Sequence, residues 1–166
     1  MAEFTPLEKL QPCLLDRLTD DEPQNTQEGR SQRVISLSRY KRGVLRDLQW
    51  LLNCSAHLPA EGNGRWRLED FPQAERSVIN FGTRQLSGLF APNMHELERH
   101  LTDALQLFEP RIISQSVTIH ASMDRNVIDI EIRGELWASP VPEPLYVKTN
   151  IDLETGLCTL GDGPDG

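Results

Sequence analysis

The change of hydrophobic period at Pro110 constrains this chain more than any other feature. Before it, Met94, Leu97, Leu101, Ala104, Leu105 and Phe108 recur at helical spacing and give one apolar helix face. Asn93 is a good N-cap for that helix, and Glu96 stands where a capping-box carboxylate reaches back. Pro110 has no N–H and restricts the residue before it, so the helix stops at Glu109-Pro110-Arg111. After Arg111 the period is two. Val117, Ile119, Ala121 and Met123 alternate with polar residues, then Ile128, Ile130 and Ile132, in a strand reaching toward Trp137. Leu145, Val147, Thr149, Ile151 and Leu153 form a third series, and Leu157 to Leu160 a last short strand. Asp124-Arg125-Asn126 is the first turn, and the proline-rich stretch from Ser139 to Pro144 is a crossover. Helices first and a meander afterwards predict an α+β fold in two layers. N-terminal helices pack on one face of a C-terminal antiparallel sheet of three to four strands. Such a sheet has edges, which are either blunted or accept a strand from another chain. Leu145, Val147 and Ile151 are the candidates for edge pairing.

Upstream, residues 36–53 form a second amphipathic helix with Val44, Leu45, Leu48, Leu51 and Leu52 on its apolar face. Arg39, Lys41, Arg42 and Arg46 cluster on its polar side, as a solvated face or a partner-facing basic patch. Nearer the start, Cys13 to Leu18 is helical but too short to be stable alone. Leu14, Leu15 and Leu18 must therefore pack on this domain or on a partner. Thr5, Pro6 and Glu8 have N-terminal capping chemistry, and residues 20–33 read as a polar linker. Pro72 opens a short helix to about Ile79 with Val78 and Ile79 inward, and Asn80 or Gly82 ends it. The expected organisation is a flexible extension over 1–33 carrying a docking segment at 13–18, one domain over 34–160, and a disordered tail at 161–166.

Composition excludes several function classes. A net charge of -8 disfavours general nucleic-acid binding by charge. No apolar run approaches the roughly 18–20 residues of a spanning helix, and the N-terminal stretch has no signal-peptide pattern. Cys13, Cys54 and Cys158 are odd in number and widely spaced, as expected for free thiols in a reducing, cytoplasmic compartment. His57, His95, His100 and His120 lack ligand spacing, and no cysteine pair supports zinc. With no phosphate-binding loop and no nucleophile elbow, no catalytic residue, metal or cofactor is expected. A glycosidase needs one carboxyl of raised pKa beside a second, and nothing singles out such a pair.

The joint itself carries a physical tension. Glu109 lies at the C-terminal end of a helix dipole, where an exposed carboxylate costs about 0.3–1 kcal/mol. A cation offsets that, supplied by Arg111 or by another subunit. The turn is then either a surface ion pair worth ~0–1 kcal/mol or a rigid docking display. In the second case alanine at Glu109 or Arg111 leaves the fold intact and removes the docking.

Six segments in order carry a resemblance. They are Leu14 to Asp21, Val44 to Asn53, Ser77 to Gly82, Leu86-Ser87-Gly88, Phe108 to Arg111, and Gly134-Glu135-Leu136. Together they resemble the TssE family, the baseplate wedge proteins of the bacterial type VI secretion system, within the contractile-phage wedge proteins once labelled lysozyme-like. The family's Glu-Pro-Arg signature matches Glu109, Pro110 and Arg111 residue for residue. The resemblance implies a non-enzymatic component that joins the wedge to the contractile sheath and templates sheath polymerisation. It implies TssF, TssG and TssK as wedge partners and the sheath subunits TssB and TssC, with the tail tube nearby. It places the protein in the baseplate at the cytoplasmic face of the inner membrane. The alternative carried by the old label is a peptidoglycan-hydrolysing enzyme.

Overall fold

The computed structural model describes residues 10–19, 35–56, 70–83, 93–139 and 141–160. Helix α1 spans Leu14–Leu18, α2 Leu37–Asn53, α3 Pro72–Glu75 and α4 Met94–Phe108. Short 3-10 turns follow at Val78–Asn80 and Ser114–Ser116. Strands β1 (Thr118–Asp124), β2 (Val127–Leu136), β3 (Glu143–Asp152) and β4 (Cys158–Leu160) then form one antiparallel sheet in the order β1-β2-β3-β4. The architecture is the expected α+β arrangement, with four strands. The Thr5–Glu8 capping spacing, the linker at 20–33 and the tail at 161–166 lie outside the described residues.

Local chemistry explains the two long helices. The Ser36 side chain accepts from the Arg39 N–H at the start of α2. Asn93 accepts from the amides of His95 and Glu96 at the start of α4, so each helix loses fewer backbone donors to solvent. Each helix turns one stripe to the core. Val44, Leu48 and Leu51 on α2 and Leu101 and Leu105 on α4 are almost fully buried. The sheet supplies the other layer through Ile128, Ile130, Ile132, Leu136, Val147 and Ile151, the period-two positions. α4 packs against β1, and α2 against β4.

The turn between β1 and β2 holds Arg125 at φ 53°, a left-handed conformation that L residues adopt at some cost. β2 ends at Leu136 rather than Trp137, but its pairing continues. The Trp137 N–H donates to the Arg111 carbonyl at 2.7 Å, and Ile112 bridges Leu136. The segment after α4 is thereby sewn to the end of β2.

One expectation is overturned. Val78 and Ile79 do not face inward; they are 84% and 69% exposed. The helix begun by Pro72 lasts four residues, and the Ser77 side chain accepts from the Ile79 amide, starting a separate 3-10 turn. That change of winding rotates both side chains outward. Phe81 packs inward instead, edge-on to Phe108 with ring centroids 5.4 Å apart. Gly82 at φ 129° then lets the chain pass the end of α2, since a Cβ there would lie 2.3 Å from the Cys54 carbonyl oxygen.

Candidate docking site

Pro110 ends α4 where its sequence position dictates, and Glu109 becomes the C-cap with its N–H on the Leu105 carbonyl. The Glu109 side chain does not project into water. The residue is 3% exposed, and its carboxylate turns back onto Arg111. Oε1 accepts from the Arg111 backbone N–H at 3.2 Å and from Nε at 2.6 Å, and Oε2 accepts from Nη2. The pair is bidentate, the geometry in which a guanidinium holds a carboxylate best. The cation that offsets the helix dipole is thus Arg111 itself.

The pair continues into a string of charges. Arg111 Nη2 also donates to Asp47 Oδ2 on α2 at 2.7 Å. Asp47 Oδ1 accepts from Arg46 Nε at 2.9 Å, and Arg46 Nη1 donates to Asp16 Oδ1 on α1 at 2.6 Å. Asp16 also accepts from the Cys13 thiol, which caps α1. Burial works against the Arg111 charge, but hydrogen bonds and charges from Glu109 and Asp47 outweigh it and raise its pKa. The hydrogen bonds Arg46 donates to Asp47 and Asp16 raise its own pKa. At Asp16 burial pushes the pKa up, and the Cys13 and Arg46 hydrogen bonds bring it below the usual carboxylate value.

Gly43 lets the clasp close tightly. A Cβ there would stand 3.2 Å from Asp16 Oδ2 and 3.8 Å from Arg111 Nη1. The α1 segment therefore lies against α2 through a polar clasp. Leu10 helps from the other side, buried and bridged to Ile35. The leucines of α1 take no part: Leu14 and Leu18 are 71% and 74% exposed, and Leu15 is only partly covered.

Over this floor lies an open groove of about 750 Å³. Glu109, Arg111 and Asp47 form its polar part, and Leu10, Leu15, Trp50, Phe81, Phe108, Pro110 and Trp137 its apolar walls. Tyr40 closes one side, its hydroxyl donating to the Trp137 carbonyl at 3.1 Å. Pro110 and half of Trp50 remain exposed on the rim. Both carboxylates on the floor accept hydrogen bonds from Arg111.

Leu145, Val147 and Ile151 lie away from that groove on β3, with their side chains in the core. What they can offer a partner is backbone. β4 pairs only with Thr149, Asn150 and Ile151, so among the described residues Glu143 to Lys148 has a strand on one side alone. Each outer strand has a backbone group held by a helix side chain. The Ala121 N–H of β1 donates to Glu98 of α4 at 2.8 Å, and Asn53 of α2 makes two 2.9 Å hydrogen bonds to the Cys158 backbone of β4. Neither Glu98 nor Asn53 carries a sequence signal for this. The same holds for Asp47 and Asp16, whose arginine partners Arg111 and Arg46, respectively, are distant in the chain.

The class these features define is a small α+β protein with an open apolar groove over a buried ion pair. The family model for baseplate wedge protein gp25 matches residues 38–141, more than half of the chain, and the chain belongs to that family. The matched span takes in α2, α4, Glu109-Pro110-Arg111, β1 and β2, and ends before β3. Membership assigns a structural role in a phage-like baseplate, in contact with other baseplate proteins. A search of curated proteins and a search of solved structures each returned no significant match. Among the described residues, no helix is long and apolar enough to cross a membrane.

Proposed function

We propose that this baseplate protein acts, without catalysis, in a type VI secretion baseplate and joins the wedge to the contractile sheath. The observation that carries the reading is the Glu109-Pro110-Arg111 turn at the floor of an open apolar groove. A rigid, internally paired floor with aromatic walls suits a helical or extended apolar segment of a wedge protein. TssF, TssG and TssK are the candidates. The exposed Leu14, Leu15 and Leu18 extend the same docking surface. The backbone from Glu143 to Lys148, paired on one side alone among the described residues, is the second contact, where a strand of TssB or TssC adds to the sheet and starts the first sheath ring. Assembly then takes place in the cytoplasm at the inner membrane.

Co-purification with TssF, TssG and TssK from a contractile-machine host tests the groove. Leu15→Glu and Trp50→Glu place charge on its rim without touching the buried pair. Loss of wedge capture by variants with unchanged circular dichroism is the expected result. Normal capture by both would sink the groove reading. For the strand, Val147→Pro should stop sheath assembly; a folded Val147→Pro variant that still primes sheath would refute edge pairing.

A further inference from the structure

We propose that the segment from Leu10 to Thr19 is a hinged wall of the groove over Glu109, held shut by the Asp16–Arg46 clasp and locked by the partner that the groove receives. Resting on the docking role of that groove, the hinge sets how much of the protein is ready to dock.

Four residues of the segment, Leu10, Gln11, Cys13 and Leu15, line the groove. The segment is fixed unevenly. At its start Leu10 is buried, and its carbonyl accepts from the Ile35 N–H at 2.9 Å. Past that anchor no residue of α1 is buried. A helix of five residues does not hold itself in water. It is held here by polar contacts. Asp16 Oδ1 accepts from Arg46 Nη1 at 2.6 Å, and Oδ2 accepts from the Cys13 thiol at 3.0 Å. Arg46 Nη2 donates to the Cys13 sulfur at 3.5 Å. A partly exposed ion pair of this kind shifts an equilibrium by up to about fivefold. Swinging α1 out about Gln11 and Pro12 therefore breaks a modest clasp and uncovers no buried side chain of α1.

The clasp also reaches the fixed side of the groove. The Arg46 guanidinium lies 5.3 Å from the centroid of the Trp50 ring, and its Nε donates to Asp47 on the floor. One guanidinium thus holds the movable wall and touches the fixed one. Closed, the groove presents Leu15 and Trp50 together; open, it lacks a wall. A partner that covers Leu15 and the exposed Leu14 and Leu18 meets them beside the groove only in the closed form, so binding favours closing. By linkage, opening the clasp weakens docking, although Asp16 does not line the groove.

The test is hydrogen exchange of the full chain, alone and with TssF, TssG and TssK, joined to binding kinetics on the same wedge proteins. Asp16→Asn should speed exchange of the Arg17 and Thr19 amides, which bond the Cys13 and Leu15 carbonyls, about fivefold. Amides of β2 should exchange as in the parent, which shows that the variant is folded. Lys41→Gln breaks a pair of similar exposure elsewhere on α2 and should leave α1 exchange unchanged. The wedge proteins should slow α1 exchange in the parent. Asp16→Asn should lower the association rate about two- to fivefold and leave the dissociation rate unchanged, because fewer molecules are closed but a closed one binds as before. The hinge is overturned by unchanged α1 exchange in Asp16→Asn or by equal acceleration in Lys41→Gln. Faster dissociation at a normal association rate would overturn it too, by making Asp16 a contact residue. Normal kinetics in Asp16→Asn, with capture lost in Trp50→Glu, would overturn the hinge and leave the groove reading standing. Normal capture by both Leu15→Glu and Trp50→Glu would overturn the two together.

Discussion

Glu109 shows how far one residue can be read from its neighbours. Its place at a helix C-terminus required a cation, and Arg111 two residues on supplies it. Its burial was not legible, because that depends on Asp47 and the α2 face brought over it from far upstream. The burial changes what substitution does. Arg111→Ala leaves a carboxylate buried without its partner and should cost about 3–5 kcal/mol in urea unfolding. Removing both groups with Glu109→Leu and Arg111→Met should recover much of that loss. A cost for Arg111→Ala below about 1 kcal/mol would show a solvent-screened pair instead. Alanine scanning of this turn therefore disturbs folding together with the proposed docking, and groove-rim variants separate the two. Glu98 and Asn53 teach the same lesson: a polar side chain that blunts a sheet edge is indistinguishable in sequence from one in water.

Elements were legible in proportion to their length. α2, α4 and the strands carry several turns or pleats of pattern, and each formed where the periodicity placed it. The stretch after Pro72 is too short for a period to decide a face, and Ser77 set the winding there. α1 shows a different limit. Its leucines implied apolar packing, yet what joins it to α2 is Asp16 on Arg46. The pKa of Asp16 is lowered on folding, so the clasp stabilises the protein above the ordinary carboxylate value and is lost as pH falls through the lowered one. Asp16→Asn should therefore melt below the parent at pH 7. The gap should close as pH drops below about 4. A gap that does not narrow at all as pH falls below the ordinary carboxylate value would show that Asp16 acts through packing and not through charge.

For the whole molecule, two layers closed over one core predict sharply different thiol reactivities. Cys158 is 2% exposed beneath α2, and burial raises its thiol pKa, a shift that the Thr149 hydrogen bond opposes. Cys54 is exposed at the end of α2. At pH 8 a disulfide reagent should modify Cys54 at once, and Cys158 only at the rate of global opening. Equal rates would contradict the closed layers. The layer architecture was readable from the order of periods; which stretch of β3 lacks a second strand among the described residues was not, because it depends on β4 pairing with three residues of β3. The charges that clasp these layers have a further consequence. Asp16, Arg46, Asp47, Arg111 and Glu109 alternate in sign along one row that starts and ends on a carboxylate. A row of odd length cannot be neutral, so this one is left one negative charge in excess. An apolar surface that seals the Glu109 end of that row from water is matched best when it carries a positive charge among its side chains.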